Sequence, residues 1–239
     1  MADPLAPLLE LPGVRDRVAA ARTAVDALLT HRALRRRSAD VSAESALRGA
    51  WASTSLSGVE VALADVRSGA ALEVPLLQGA MRAQSAIGPL ADTWTRAPRQ
   101  ALARLHTLAA ADVLDADALG RPSGDTRRLD MLVDVLGLTS APAVLVAAVV
   151  HGELLALDMF APVSGIVARV AERLTLVERG LDPKSLVVVE VGHRDLRDEY
   201  HAALQVYADG DVARWLRHCA DAVIVGARET TAICEALQR

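Results

Sequence analysis

The chain has 239 residues, 52% of them hydrophobic and 23% charged. That suits one domain of ordinary size with a sizeable core and excludes a largely disordered polymer. A net charge of -4 gives no global electrostatic drive towards nucleic acid or an anionic membrane surface. With Ala, Leu, Val and Arg abundant and aromatic residues at 3%, the composition leans towards helices and a mainly α fold.

The N-terminal stretch up to Arg17 carries prolines and acidic residues where a secretory signal needs a basic region followed by an apolar core. The first periodic segment is Val14 to Arg37. Val14, Val18, Ala21, Val25, Leu28 and Leu29 recur at spacings of three and four, which predicts an amphipathic helix ending in the Arg35, Arg36, Arg37 run. Three arginines at a helix C-terminus suit the negative end of its dipole, so no nucleic-acid contact is assigned to them. A second helix is expected to begin after Asp40 or Ser42 and to stop at Gly58. Residues 1–41 are accordingly read as an N-terminal helical extension and 42–239 as the main helical domain.

Residues 71–90 and 98–111 read as two further helices. The second has Pro98 in its first turn and Leu102, Leu105 and Leu108 on one face. His106 beside that stripe reads as a hydrogen-bonded boundary residue. Gly120 to Arg128, rich in Gly, Pro, Ser and Asp, is the clearest loop. Thr139 or Ser140 then caps a helix whose 145–157 segment is apolar on nearly every face and is expected at the centre of the fold. Its longest apolar run, Ala141 to Val150, falls short of the ~20 residues that span a bilayer. No membrane or nucleic-acid partner is expected, and the expected compartment is the cytoplasm.

A helix from Gly165 to Arg179 should be stopped by Gly180, with Pro183 just beyond. Residues 185–191 read as a strand or an extended connector. Glu190-x-x-His193 has metal-ligand spelling, but Gly192 and the β-branched neighbours argue against the helix that this spacing requires, and no metal is assigned. Helices from Asp195 to about Ala208 and from Asp211 to Leu237 close the chain. The two cysteines, Cys219 and Cys234, fall on the last helix about 22 Å apart along its axis and read as reduced thiols. Nothing in the sequence fixes an oligomeric state.

Between the central helix and the next lies Asp158, Met159, Phe160, Ala161, Pro162, Val163, Ser164, Gly165, Ile166, Val167, Ala168, Arg169. This stretch resembles the H-P-F-x-[D/E]-G-N-G-R-x-x-R loop of the Fic (Fido-fold) family, which moves nucleotide or phosphate-containing groups onto protein hydroxyls. Phe160, Gly165 and Arg169 match. Asp158 stands where the family has its base His, Pro162 where it has the metal acid, Ser164 for the Asn and Ile166 for the first Arg. Ser53, Ser57 and Gly58 resemble the family's inhibitory-helix motif [S/T]-x-x-x-E-[G/N], with Ser57 in place of the Glu that reaches the last loop Arg. The alternative for these residues is a Ser-rich helix end whose hydroxyls satisfy backbone groups. Gly124 and Arg127 resemble the G-x-[F/Y]-R that opens the family's flap, a β-hairpin that pairs with an extended protein segment; a plain exposed linker is the alternative.

The resemblance implies a Fic/Fido-like helical domain with a short flap, an ATP-type nucleotide as ligand and a protein partner at the flap. It also implies phosphate contacts at Phe160, Ser164, Gly165 and Arg169. Backbone N–H groups at a helix start could cradle phosphate, and the Arg169 guanidinium could bind it bidentately. Tight Mg²⁺ binding is not expected, because Pro162 has no ligating side chain, and Asp158 is a weaker base than His. The leading expectation is a pseudoenzyme that retains a weak nucleotide, phosphate or partner site. The alternatives are a divergent transferase without the motif His and a purely structural helical domain.

Overall fold

Periodic apolar stripes become twelve α-helices and one short 3-10 turn in the structure, a computed structural model that describes residues 2–238. The stripe Val14, Val18, Ala21, Val25 and Leu28 is buried along α1 (Val14–Leu29), which lies against the last helix, α12 (Val212–Ala236). α1 stops earlier than its periodicity suggests. The Thr30 hydroxyl donates to the Ala27 carbonyl at 2.7 Å and the Ala33 N–H donates to His31 Nδ1, so side chains take backbone partners that a continuing helix would use. α2 (Leu34–Leu56) then starts before Asp40 and kinks at Arg37 (φ −122°), where the guanidinium donates to the Leu237 carbonyl at the end of α12. The expected cap at Asp40 or Ser42 is thus replaced by a kink three residues earlier, and residue 41 lies inside α2.

The single helix expected over 71–90 is two. α4 (Pro75–Ser85) follows a short α3 (Leu63–Ser68) and gives way to α5 (Ile87–Arg96). Pro89 causes the break, because in a continuous helix its ring would collide with the Ser85 carbonyl. α6 (Pro98–Ala110) forms as its proline start and leucine stripe predict.

No strand forms among the described residues, which corrects the flap reading of Gly124 and Arg127. Residues 111–126 are irregular and mostly exposed. Gly124 (φ +80°) stands in open space, and Arg127 folds back onto the Asp125 carboxylate at 2.7 Å. Arg127 also opens α7 (Arg127–Leu138), a helix anchored by Leu129 and Leu132.

α8 (Ala143–Leu157) is buried at every position from Val144 to Gly152 and again at Leu154, as a helix apolar all round must be. It packs against α9 (Ser164–Glu178) across the 158–163 loop, and α2, α4, α5, α6 and α10 (Val189–Asp195) enclose α9. α12, α1, α7 and α11 (Arg197–Ala208) enclose α8. α9 ends where expected, with Gly180 at φ +71°.

The strand-like run 185–191 is not a strand: its second half is α10. Gly192 is there for space. A Cβ on it would lie 2.1 Å from the Ala222 carbonyl oxygen, and one on Gly226 2.6 Å from the Val188 oxygen, so the glycines let α10 and α12 meet backbone to backbone. This packing overrides the weak helix propensity of Gly and Val. No helix among the described residues is long and apolar enough to cross a membrane.

Candidate functional site

The loop between α8 and α9 is closed on itself. Asp158 ends α8 in the left-handed region (φ 45°), a conformation that short polar side chains tolerate better than others, and it lies exposed to solvent. Phe160 is 1% exposed. Its ring packs at 5.5 Å from that of His106, and its N–H donates to Ser164 Oγ at 3.1 Å. Pro162 is exposed and Ile166 is buried. The Ser164 hydroxyl therefore secures the loop's own backbone at the first position of α9.

Arg169 lies one turn further along α9 and is also 1% exposed. Its Nε donates to Ser53 Oγ at 2.8 Å, Nη2 donates to the Ser53 carbonyl at 2.9 Å and to Ser57 Oγ at 2.8 Å, and Nη1 donates to Tyr200 Oη at 3.2 Å. Four of the five N–H donors of a guanidinium are thus used inside the protein. The structure thus brings Ser53 and Ser57 of α2 together on Arg169 of α9. Gly58 (φ +88°) turns the chain away just beyond. Gly165 has a specific reason to be glycine: a Cβ there would sit 3.0 Å from both Nη1 and Nη2 of Arg169. The guanidinium lies directly beneath it.

Ser123 and His106 hold the loop from its other side. Ser123 donates to the Met159 carbonyl from its N–H at 2.9 Å and from its hydroxyl at 3.3 Å. His106 Nδ1 accepts the Gly120 N–H at 3.2 Å, and burial lowers its pKa from the ordinary 6.5. Residues 120–123 therefore lean on the loop as an irregular strap. Gly124 and Arg127, which the flap spacing singled out, touch none of it. Surface cavities lie elsewhere, one of them between α1 and the start of α8.

Beneath Arg169 the core turns polar. Glu172, one turn on, is 1% exposed, with His151 and His193 fully buried beside it. Glu172 Oε2 lies 2.8 Å from His151 Nδ1 and 2.9 Å from His193 Nε2. His151 Nε2 is 3.1 Å from Tyr200 Oη, and His193 Nδ1 is 2.9 Å from His218 Nε2. Burial pushes the Glu172 carboxyl up, but His193 and His151 outweigh it and hold the group below the usual carboxylate range. Burial lowers His151 to about 4, against the opposing pull of Glu172. A second buried group surrounds Arg173, whose donors reach Ser45 Oγ, Ser185 Oγ, Gln84 Oε1 and the Glu190 carboxylate.

Glu190 and His193, paired by their spacing in the sequence, share α10 but face different partners. Glu190 joins Arg173 and Gln84, while His193 joins Glu172 and His218. His193 instead meets His151, Glu172 and Cys219 in one buried cluster. Sequence reasoning missed this cluster because its members come from separate helices. The available signal was the charged set Arg169, Glu172 and Arg173 inside an otherwise apolar helix.

No family model matches the sequence, and no curated protein matches it. Solved structures do match. A Fic family protein from Desulfovibrio desulfuricans G20 is 18% identical with a TM-score of 0.77, over 93% of this chain and 75% of that one. Fic-1 (residues 134–508) from C. elegans is 17% identical with a TM-score of 0.72, over 93% and 73%. At these identities the likeness is one of fold, and this chain has the Fic (Fido) fold.

Proposed function

We propose that this chain is a non-catalytic member of the Fic fold, in which the loop that would bind a nucleotide serves as a packing element of the core. The observation that carries this reading is the state of Arg169: it is buried beneath Gly165 and bonded to Ser53, Ser57 and Tyr200. A phosphate would have to displace those bonds, not add to them.

The chemistry of the loop points the same way. Transfer to a hydroxyl needs a base for its proton and positive charge for the leaving phosphates. Asp158 lies exposed in place of the base, while Pro162 and Ile166 supply neither a metal acid nor a first phosphate Arg. The weak nucleotide site implied by the resemblance is therefore replaced, in this reading, by the structural alternative.

The test is labelling of the chain and of cell lysate with ATP and Mg²⁺, for the wild type, Ser57→Ala and Asp158→His. The expected result is no transfer in any of the three. Freeing one bond of Arg169 or restoring the His leaves the other deficits in place. Transfer by the wild type that Asp158→Ala abolishes would instead establish the divergent transferase.

A further inference from the structure

Four helices each send one metal-ligating side chain to the same buried point: His151 from α8, Glu172 from α9, His193 from α10 and Cys219 from α12. One ligand atom of each lies within 4.8 Å of all the others, and none of the four residues is more than 1% exposed. Metal centres in helical bundles are built in this way, from inward-facing side chains on facing helices. The motif loop contributes none of these ligands, so the site does not depend on whether that loop is inert.

Three features separate the cluster from an ordinary buried hydrogen-bond network. First, Glu172 Oε1 has no hydrogen-bond partner, and the short contact between His151 Nδ1 and Glu172 Oε2 is not directed as a hydrogen bond. A buried carboxylate with one bare oxygen is costly unless something satisfies it. Second, the ring nitrogen of each histidine that faces away from Glu172 is already held, in His151 by Tyr200 Oη and in His193 by His218 Nε2. Outer partners of this kind orient metal-binding imidazoles and fix their tautomer. Third, the cluster includes the Cys219 sulfur, a soft donor of the kind that suits zinc.

The geometry points to a structural site for one divalent ion of the zinc class, held by His151, Glu172, His193 and Cys219. Two imidazoles, a thiolate and a carboxylate suit Zn²⁺, and four protein ligands with no open position are the mark of a structural centre. Tetrahedral coordination at ~2.0–2.3 Å implies ligand separations of about 3.3–3.7 Å. The present contacts of 2.8 and 2.9 Å from Glu172 and the 4.8 Å outer limit bracket that range.

Charge and protons balance. The Cys219 thiol, which burial keeps protonated, loses its proton to solvent as the sulfur–metal bond forms. Each imidazole binds through its lone pair and carries its proton on the remote nitrogen, towards Tyr200 or His218. Thiolate and carboxylate then neutralise the dication, and one proton leaves per ion bound. Because the cluster is sealed, the ion is taken up as the four helices assemble.

The experiment is refolding of the full chain from denaturant after chelation, with no metal, with Zn²⁺ or with Co²⁺. The expected results are about one ion per chain by elemental analysis, a higher melting temperature with Zn²⁺, and a Co²⁺ spectrum with tetrahedral visible bands and a thiolate charge-transfer band. Cys219→Ser, nearly isosteric, should lose the charge-transfer band, and His193→Gln should lower the stoichiometry. Equal melting temperatures with and without Zn²⁺, together with a Co²⁺ spectrum of the hydrated ion in the wild type, would overturn the proposal. So would ion binding that both substitutions leave unchanged, since the ion would then sit elsewhere.

Discussion

At the scale of single residues, Gly165 and Arg169 exchange the roles that their spacing suggests. In a phosphate cradle Gly165 admits a ligand; here it admits the guanidinium of its own helix. Gly165→Ala should therefore destabilise the fold by about 1–3 kcal/mol, the usual cost of overpacking, in a urea titration without ligand. An unchanged midpoint would show that Arg169 is not seated there. His106 offers a pH test. Its folded pKa is depressed by burial, so the unfolded chain takes up the proton more readily. The stabilising effect is complete above the unfolded value of 6.5 and is lost as pH falls below it towards the folded value. The wild-type melting temperature should accordingly drop more steeply between pH 7.5 and 5 than that of His106→Gln.

At the scale of elements, helix packing explains both what the sequence reveals and what it hides. Gly192→Ala places a Cβ 2.1 Å from a backbone oxygen that cannot rotate away, so α10 and α12 must part. The expected loss is about 3 kcal/mol, at the upper end of overpacking costs. Gly137→Ala on α7 meets nothing within 4 Å and should be neutral or stabilising by up to ~1 kcal/mol. Chemical denaturation should show a lowered midpoint for Gly192→Ala and an equal or raised one for Gly137→Ala. The central helix was legible because 145–157 is apolar on every face, and the end of α9 because Gly180 and Pro183 are local signals. α10 was not legible: Gly192 and its valines speak against a helix locally, and only contact with α12 reverses that. The family resemblance set Ser53 and Ser57 beside Arg169, while a Ser-rich helix end was the alternative for the same residues. The His151, Glu172, His193 and Cys219 cluster was not legible, since no local period links four residues on four helices.

At the scale of the molecule, the Fic fold holds a 158–163 loop that is closed on itself, with Arg169 turned inward beneath the start of α9. The surrounding helices share in this closure. α2 brings Ser53 and Ser57, α11 brings Tyr200, and the 120–123 strap closes over Phe160 through His106. The most direct test is a crystal structure of the wild-type chain soaked with millimolar ATP and Mg²⁺. The account predicts no nucleotide density at the start of α9, with Arg169 still bonded to Ser53, Ser57 and Tyr200. Ordered phosphates on the Ser164 and Gly165 amides, with the Arg169 guanidinium swung out to meet them, would contradict it.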